Sequence, residues 1–211
     1  MDAETLVDEV EESKKTELER LGTSKALVAA TDGDLDTETV LEAAVETESE
    51  AAETFVEWAE DETDDDARGV FEDVADTERG HRDRLVELAS DTDYGDDSTP
   101  GLHLHLRDID DTVERVAAGL VGRTLVTDAT LKQTVAYFVG QSATSEADLF
   151  RDLRRENREL VEDGKHLLDE LCDDDEDWEK AREAAEEVVE IAYDEYAETL
   201  EGMGINPKPV C

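Results

Sequence analysis

Two stretches of this chain decide its fold: ESEAAETFVEWA at residues 48–59 and FEDVADTERGHRDRL at residues 71–85. In each stretch the apolar residues recur three or four positions apart, the spacing that places them on one face of an α-helix. Glu48 falls on the apolar face of the first helix, and Glu78 and His81 fall on that of the second. A carboxylate in a protein core is costly unless a partner compensates for it, and inside a helical bundle that partner is often a metal ion. The two stretches therefore predict a helical hairpin with three polar side chains in its core.

The same spacing continues along most of the chain, and the three prolines at positions 100, 207 and 209 interrupt none of the long periodic stretches. It predicts helices at about residues 2–21, 37–61, 67–89, 111–142, 145–171 and 176–201, with a long polar crossover at about 90–110. Two helical hairpins joined by one long connection are typical of the ferritin-like four-helix bundle. We therefore predict an all-α fold in which the crossover lies between bundle helices 2 and 3, with additional helices flanking the bundle at both termini.

Three segments follow from this layout. Residues 1–35 are predicted to form a polar N-terminal helical leader, and residues 36–172 the ferritin-like four-helix bundle. Residues 173–211 are predicted to form a C-terminal helix and an extended tail packed on the bundle.

The charge of the chain restricts its partners. Its 211 residues include 62 Asp and Glu against 20 Lys and Arg, which gives a net charge of −42. Direct nucleic-acid binding is not expected, because it needs clustered basic residues. The acidic N-terminal sequence does not resemble a signal peptide, and no apolar stretch is long enough to span a membrane, so we expect a cytoplasmic protein. The acid-rich, Lys-poor composition is typical of a halophilic host, where concentrated salt screens the self-repulsion.

The core polar residues have the spacing of metal ligands. Glu78 and His81 are separated by three positions and so share one helical face. Glu48 lies near the middle of the preceding helix, which an antiparallel hairpin brings level with them. Two carboxylates and an imidazole suit iron, manganese or zinc better than calcium or magnesium. The alternative is a set of buried polar groups satisfied by hydrogen bonds or water.

Residues 48–59 and 71–85 together resemble the first helical hairpin of rubrerythrin-like proteins, with the pattern E-S-x-A followed by F-E-x-x-A-D-x-E-x-x-H. The resemblance is good over residues 40–90 and extends to the rest of the chain only through architecture. It implies a ferritin-like fold around a di-iron centre used in peroxide reduction or iron oxidation. It also implies that Glu48 is a carboxylate ligand of that centre and that Glu78 and His81 are its E-x-x-H pair.

The second hairpin departs from this family pattern. Its E-x-x-H pair should fall at positions 157 and 160, which are Asn157 and Leu160, whereas Asp128 can stand for the carboxylate of the third helix. Paired C-x-x-C segments are also absent from the sequence, and with them the rubredoxin-type electron-transfer module. We therefore predict an incomplete site with Glu48, Glu78, His81 and Asp128 as metal ligands. It would hold one iron ion, or manganese in its place, or no metal.

Other candidates carry weaker signals. Arg123 lies one step from the core face of the third helix and could pair with Glu48 or Asp128 in place of a metal. His166 is better explained as a solvated surface histidine. The remaining candidates are the H-x-H motif of His103 and His105, predicted in a surface strand or loop, and the two scattered thiols, Cys172 and Cys211.

These features predict a rubrerythrin-like metal-binding protein with an incomplete di-iron site and a role in peroxide or iron redox chemistry. The alternative is a non-catalytic bundle that acts as a binding or regulatory module. A ferritin-style storage cage is less favoured, because storage needs a complete oxidation centre. A homodimer is compatible with the sequence, and a redox role would need a partner that the sequence does not name.

Overall fold

The computed structural model describes residues 1–89 and 99–208, and within these ranges all regular secondary structure is helical. The α-helices, numbered α1 to α10 in chain order, are Ala3–Ser13, Lys15–Leu21, Lys25–Ala30, Thr37–Asp61, Asp65–Leu88, Gly101–Arg107, Thr112–Val116, Arg123–Gly140, Thr144–Leu171 and Asp175–Gly202. A π-helical turn, Ala117–Gly122, joins α7 to α8, so that residues 112–140 form one continuous helix. The predicted all-α, ferritin-like class is confirmed.

The first hairpin, α4 and α5, forms where the sequence predicts it. The side chain of Asp36 accepts a hydrogen bond from the backbone N–H of Thr39 and caps α4. Asp64 caps α5 in the same way, accepting from the N–H groups of Asp66 and Ala67. Such caps satisfy the free N–H groups of the first helical turn. The short connection between the two helices makes them antiparallel neighbours.

The core of the bundle is divided into two apolar clusters by a polar layer. The first cluster includes Phe55, Phe71 and Leu120. The second includes Val45 of α4, Leu85 of α5 and Phe150 of α9. On α4 and α5 the residues that separate the two clusters are Glu48, Glu78 and His81. The candidate ligands therefore form a buried polar layer across the bundle.

The third bundle helix contains the π-helical turn that the sequence did not reveal. The backbone N–H of Arg123 bonds to the carbonyl of Ala118, five residues earlier, which is the π-helical pattern. The turn packs against α10, and an added Cβ at Gly122 would lie 2.6 Å from the carbonyl oxygen of Ala185. Glycine at this position therefore permits close approach of the two helices.

The remaining helices cover the bundle. The N-terminal helices and α10 pack together, with Leu6 and Val188 in the first core cluster. The predicted polar crossover contains α6, where His103 and Leu106 are buried. Residues 90–98 of that crossover lie outside the described residues. None of the described helices is both long enough and apolar enough to cross a membrane.

The close contact at Gly122 predicts a stability effect. The Gly122→Ala substitution should destabilise the protein by about 1–3 kcal/mol, because the helices must separate to admit the methyl group. Gly69→Ala, in α5, is the matched control, since apart from its chain neighbours and the backbone of its own helix no atom lies within 4 Å of the position of its added Cβ. It should be neutral or stabilise by roughly 0.5–1 kcal/mol. Thermal unfolding followed by circular dichroism measures both, and equal effects would contradict this reading of the π-helical turn.

Candidate metal centre

Three buried side chains from α4 and α5 converge in the polar layer. Glu48, Glu78 and His81 have relative exposures of 5%, 2% and 2%. They each offer one ligand atom, and these atoms all lie within 4.8 Å of one another. The hairpin brings them together because each occupies the apolar face of its helix.

The distances within this group suit a single ion. Nδ1 of His81 lies 3.3 Å from Oε2 of Glu48 and 3.1 Å from Oε2 of Glu78. Metal–ligand bonds of about 2.0–2.2 Å place neighbouring ligand atoms roughly 3.0–3.4 Å apart in tetrahedral or octahedral geometry. The mixed carboxylate and imidazole donor set favours a first-row transition ion. The residues therefore fit such an ion, which Glu48, Glu78 and His81 would hold.

A fourth side chain, Glu156 on α9, completes the surroundings of His81. Its Oε2 lies 3.1 Å from Nε2 of His81, on the side of the ring away from the other two carboxylates. Arg84 in turn holds Glu156 through a 2.5 Å ion pair. Histidine ligands of metals usually donate their second N–H to a carboxylate, which orients the ring. Glu156 thus fixes His81 so that Nδ1 faces the ligand group.

Arg123 is also part of the centre. Its Nη2 donates to Oε1 of Glu78 at 2.5 Å, and both side chains are buried. The guanidinium carbon lies 5.2 Å from the centroid of the Phe55 ring. Its Nε makes no hydrogen bond within the described part of the chain. The sequence suggested Glu48 or Asp128 as the partner of Arg123, whereas the structure pairs it with Glu78.

Burial and neighbouring charges shift the protonation of the group. Burial, reinforced by the negative charge of Glu78, raises the pKa of Glu48 to about 8. Burial alone would also raise the pKa of Glu78, but Arg123 and His81 hold it well below its usual range. Burial alone would lower the pKa of His81, yet its hydrogen bonds to both carboxylates raise that pKa to about 10. Without an ion, Glu48 and His81 therefore carry protons at neutral pH.

Among the described residues, the positions predicted for the second hairpin's ligands do not join the ligand group. Arg154 and Arg158 hold both carboxylate oxygens of Asp128, with Arg154 bonding at 2.9 Å to each. The structure thus places Asp128 with two arginines of α9, outside the group of Glu48, Glu78 and His81. Asn157 donates its side-chain N–H to the carbonyl of Thr124, and Leu160 is buried in the first core cluster.

A small cavity reaches the centre from the side of Glu48. It has a volume of about 90 Å³, and its walls include Thr127 and Thr130 of α8. A larger pocket of about 360 Å³ shares those two threonines. The small cavity is therefore large enough for several water-sized molecules. It provides space beside Glu48 for an open coordination position.

The other candidates are not among the three candidate ligands, although His103 lines the same pocket as Arg123. His166 is exposed, as the sequence suggested. The expectation of a surface strand or loop for His103 is wrong, because the residue is buried in α6. Its Nδ1 lies 3.0 Å from the hydroxyl oxygen of Thr54. Burial raises the pKa of the Cys172 thiol to about 11, which makes it a poor nucleophile. Cys211 lies outside the described residues.

Sequence reasoning missed Glu156 as a functional residue, and its role in orienting His81 can be tested. Glu156→Gln should weaken metal binding about 10- to 100-fold, because the amide cannot act as a charged acceptor for the His81 ring. Glu159→Gln, at an exposed position one helical turn further along α9, is the control and should leave affinity unchanged. Competition with a chelator of known affinity measures both. Equal affinities of the two variants would exclude this role for Glu156.

The comparisons with known proteins agree with the geometry. Residues 4–89 match the family model named Rubrerythrin, a segment that contains Glu48, Glu78 and His81. The match also takes in the N-terminal helices, ahead of the region where the sequence resemblance is clear. Searches of curated proteins and of solved structures each find no match. Over residues 4–89 the chain is therefore similar to rubrerythrins, and its helical bundle is of the ferritin-like class.

Proposed function

We propose that this protein binds one transition-metal ion, iron or manganese, through Glu48, Glu78 and His81. The observation that carries the proposal is the convergence of three buried ligand atoms within 4.8 Å of one another. Glu156 supports it by taking the second nitrogen of His81. Three of the four predicted ligands are used, because the two oxygens of Asp128 are already held by Arg154 and Arg158.

We further propose that the bound ion serves peroxide or iron redox chemistry. When bound, the ion would supply a redox couple and an open position for a small substrate. The protein residues would hold the ion, exclude bulk water and limit access to molecules that fit the cavity beside Glu48. Glu156 would accept the proton of His81 Nε2 and connect the buried ring to the surface.

A second candidate function is supported by the ion pair between Arg123 and Glu78. This pair and the hydrogen bonds of His81 satisfy the buried charges without a metal. In this case the bundle would be a non-catalytic binding or regulatory module. The two functions differ in whether the centre takes up an ion from solution.

Metal analysis decides between them. The purified protein, kept in molar KCl to match its acidic composition, is loaded anaerobically with Fe(II), desalted and analysed for metal. We expect about one equivalent in the first case, from the single ligand set. Less than about a tenth of an equivalent would exclude the metal-binding function and favour the regulatory bundle.

Metal binding should also depend on pH. An ion must displace the protons that Glu48 and His81 carry in its absence, because their pKa values are raised to about 8 and about 10. Between pH 8 and 10 one proton must leave and the apparent affinity should fall about tenfold for each pH unit, and below pH 8 both must leave and it should fall about a hundredfold. Co(II) titrations at pH 6, 7 and 8, followed by visible absorption, test this. Affinity independent of pH would show that neither proton is displaced.

A further inference from the structure

The carboxylate of Glu78 serves two different partners, one with each oxygen. Oε2 faces Nδ1 of His81 at 3.1 Å, inside the ligand group. Oε1 accepts the hydrogen bond from Nη2 of Arg123. The ion pair therefore leaves one oxygen of Glu78 available to a metal ion.

Arg123 does not use the geometry of an ordinary structural ion pair. Arg154 binds Asp128 through two nitrogens and two oxygens, the bidentate arrangement typical of arginine and carboxylate. Arg123 uses one nitrogen on one oxygen, and its Nε has no acceptor among the described residues. A bidentate ion pair would occupy both oxygens of Glu78. The observed ion pair occupies only Oε1.

The positive charge of Arg123 is fixed in place. The side chain is only 3% exposed and lies against the face of Phe55. The π-helical turn ends where Arg123 begins, so the backbone there is held by the contact of this turn with α10. A guanidinium keeps its proton in proteins, and its charge is therefore permanent.

We propose that Arg123 is the second cation of the centre and shares the Glu78 carboxylate with the metal ion, an inference that rests on the single-metal function proposed above. Two cations on one buried carboxylate repel each other, because little solvent screens them. Arg123 therefore weakens binding of the ion and restricts the centre to one. Arg123 would thus set the metal affinity while its hydrogen bond is to Glu78 and not to the ion.

The test compares Co(II) affinity in three variants by the visible absorption of the bound ion, which distinguishes a histidine-containing site from surface carboxylates. Arg123→Gln removes the charge and should bind Co(II) at least about tenfold more tightly. Arg123→Lys places an ammonium beside the Glu78 carboxylate, whose negative charge favours the protonated form, and should stay within about threefold of the wild type. Arg115→Gln is the control, because Arg115 is 4% exposed, pairs with Asp61 and Glu62, and lies over Trp58. It should match the wild type.

The outcomes separate this inference from the proposed function. Unchanged or weaker binding by Arg123→Gln would overturn the inference, since Arg123 would then only orient Glu78. If Arg123→Gln does not fold, the Arg123→Lys variant decides. Tenfold weaker Co(II) binding by Arg123→Lys would overturn the inference, because Arg123 would then only orient Glu78. If the wild type binds no Co(II) but Arg123→Gln does, the inference stands and the single-metal function fails. If neither binds, both fail.

Discussion

Replacing His81 with alanine should abolish metal binding at the centre. After anaerobic Fe(II) loading, the metal content should fall from about one equivalent to below about a tenth, because the remaining two carboxylates lack the nitrogen ligand and its orienting shell. His81 is the residue that contacts all three carboxylates, with Glu48 and Glu78 at Nδ1 and Glu156 at Nε2. Elemental analysis of the desalted protein measures the effect.

His166→Ala is the matched control for this prediction. His166 is exposed on α9, so its loss removes a histidine without touching the centre. It should retain the metal content of the wild type. Similar content in the two variants would mean that the ion is bound by surface carboxylates, and the centre would then not be the binding site.

Replacing Glu78 with alanine should strongly destabilise the metal-free protein. The substitution leaves the guanidinium of Arg123 buried without a counter-charge, and breaking a buried pair in this way costs about 3–5 kcal/mol. Glu72→Ala, at an exposed position on the same helix, should change the free energy of unfolding by less than about 0.5 kcal/mol. Denaturant unfolding with a chelator present, followed by circular dichroism, measures both.

Replacing Glu48 should cost much less stability than replacing Glu78. Burial raises the pKa of Glu48, so without an ion the side chain is largely neutral, and Glu48→Gln removes little charge. We expect Glu48→Gln to cost less than about 1.5 kcal/mol, the range of a single neutral hydrogen bond. A larger loss for Glu48→Gln than for Glu78→Ala would contradict the assignment of the charge to Glu78.

The sequence was sufficient to predict that Glu48, Glu78 and His81 come together in the core of the first hairpin. Glu48, Glu78 and His81 interrupt otherwise apolar helix faces, and helical periodicity with a short connection brings such positions together. Helix caps and the spacing of apolar residues both depend on residues that are close together in the sequence. The ordered fold of this hairpin therefore follows from patterns that are visible along the chain.

The partners supplied by the other helices were less predictable. Glu156 lies one position before Asn157, where the family pattern placed a ligand, and nothing in the pattern marks the earlier residue. Asp128 fits the apolar spacing of the third helix, but the two arginines of α9 hold it at the edge of the bundle. Which of two neighbouring faces turns inward depends on packing between helices, and regular spacing does not encode it.

Arg123 was misassigned for a related reason. A prediction from periodicity assumes a constant number of residues per helical turn. The π-helical turn before Arg123 contains more residues than one turn of α-helix does. The faces before and after that turn are therefore out of register with a single regular helix. The glycines at positions 119 and 122 are a signal of close packing, but they do not specify a π-helix.

The π-helical turn also bears on which deletions the centre can tolerate. A π-helical turn takes up one residue more than an α-helical turn, so loss of one residue from Ala117–Gly122 would allow an unbroken α-helix to form and would leave the flanking side chains on their original faces. Loss of one residue from the regular part of the same helix would instead rotate the side chains on its two sides by about 100° relative to each other. The meeting of Arg123 and Glu78 should therefore survive a deletion inside the turn and fail after a deletion between the turn and the end of α8.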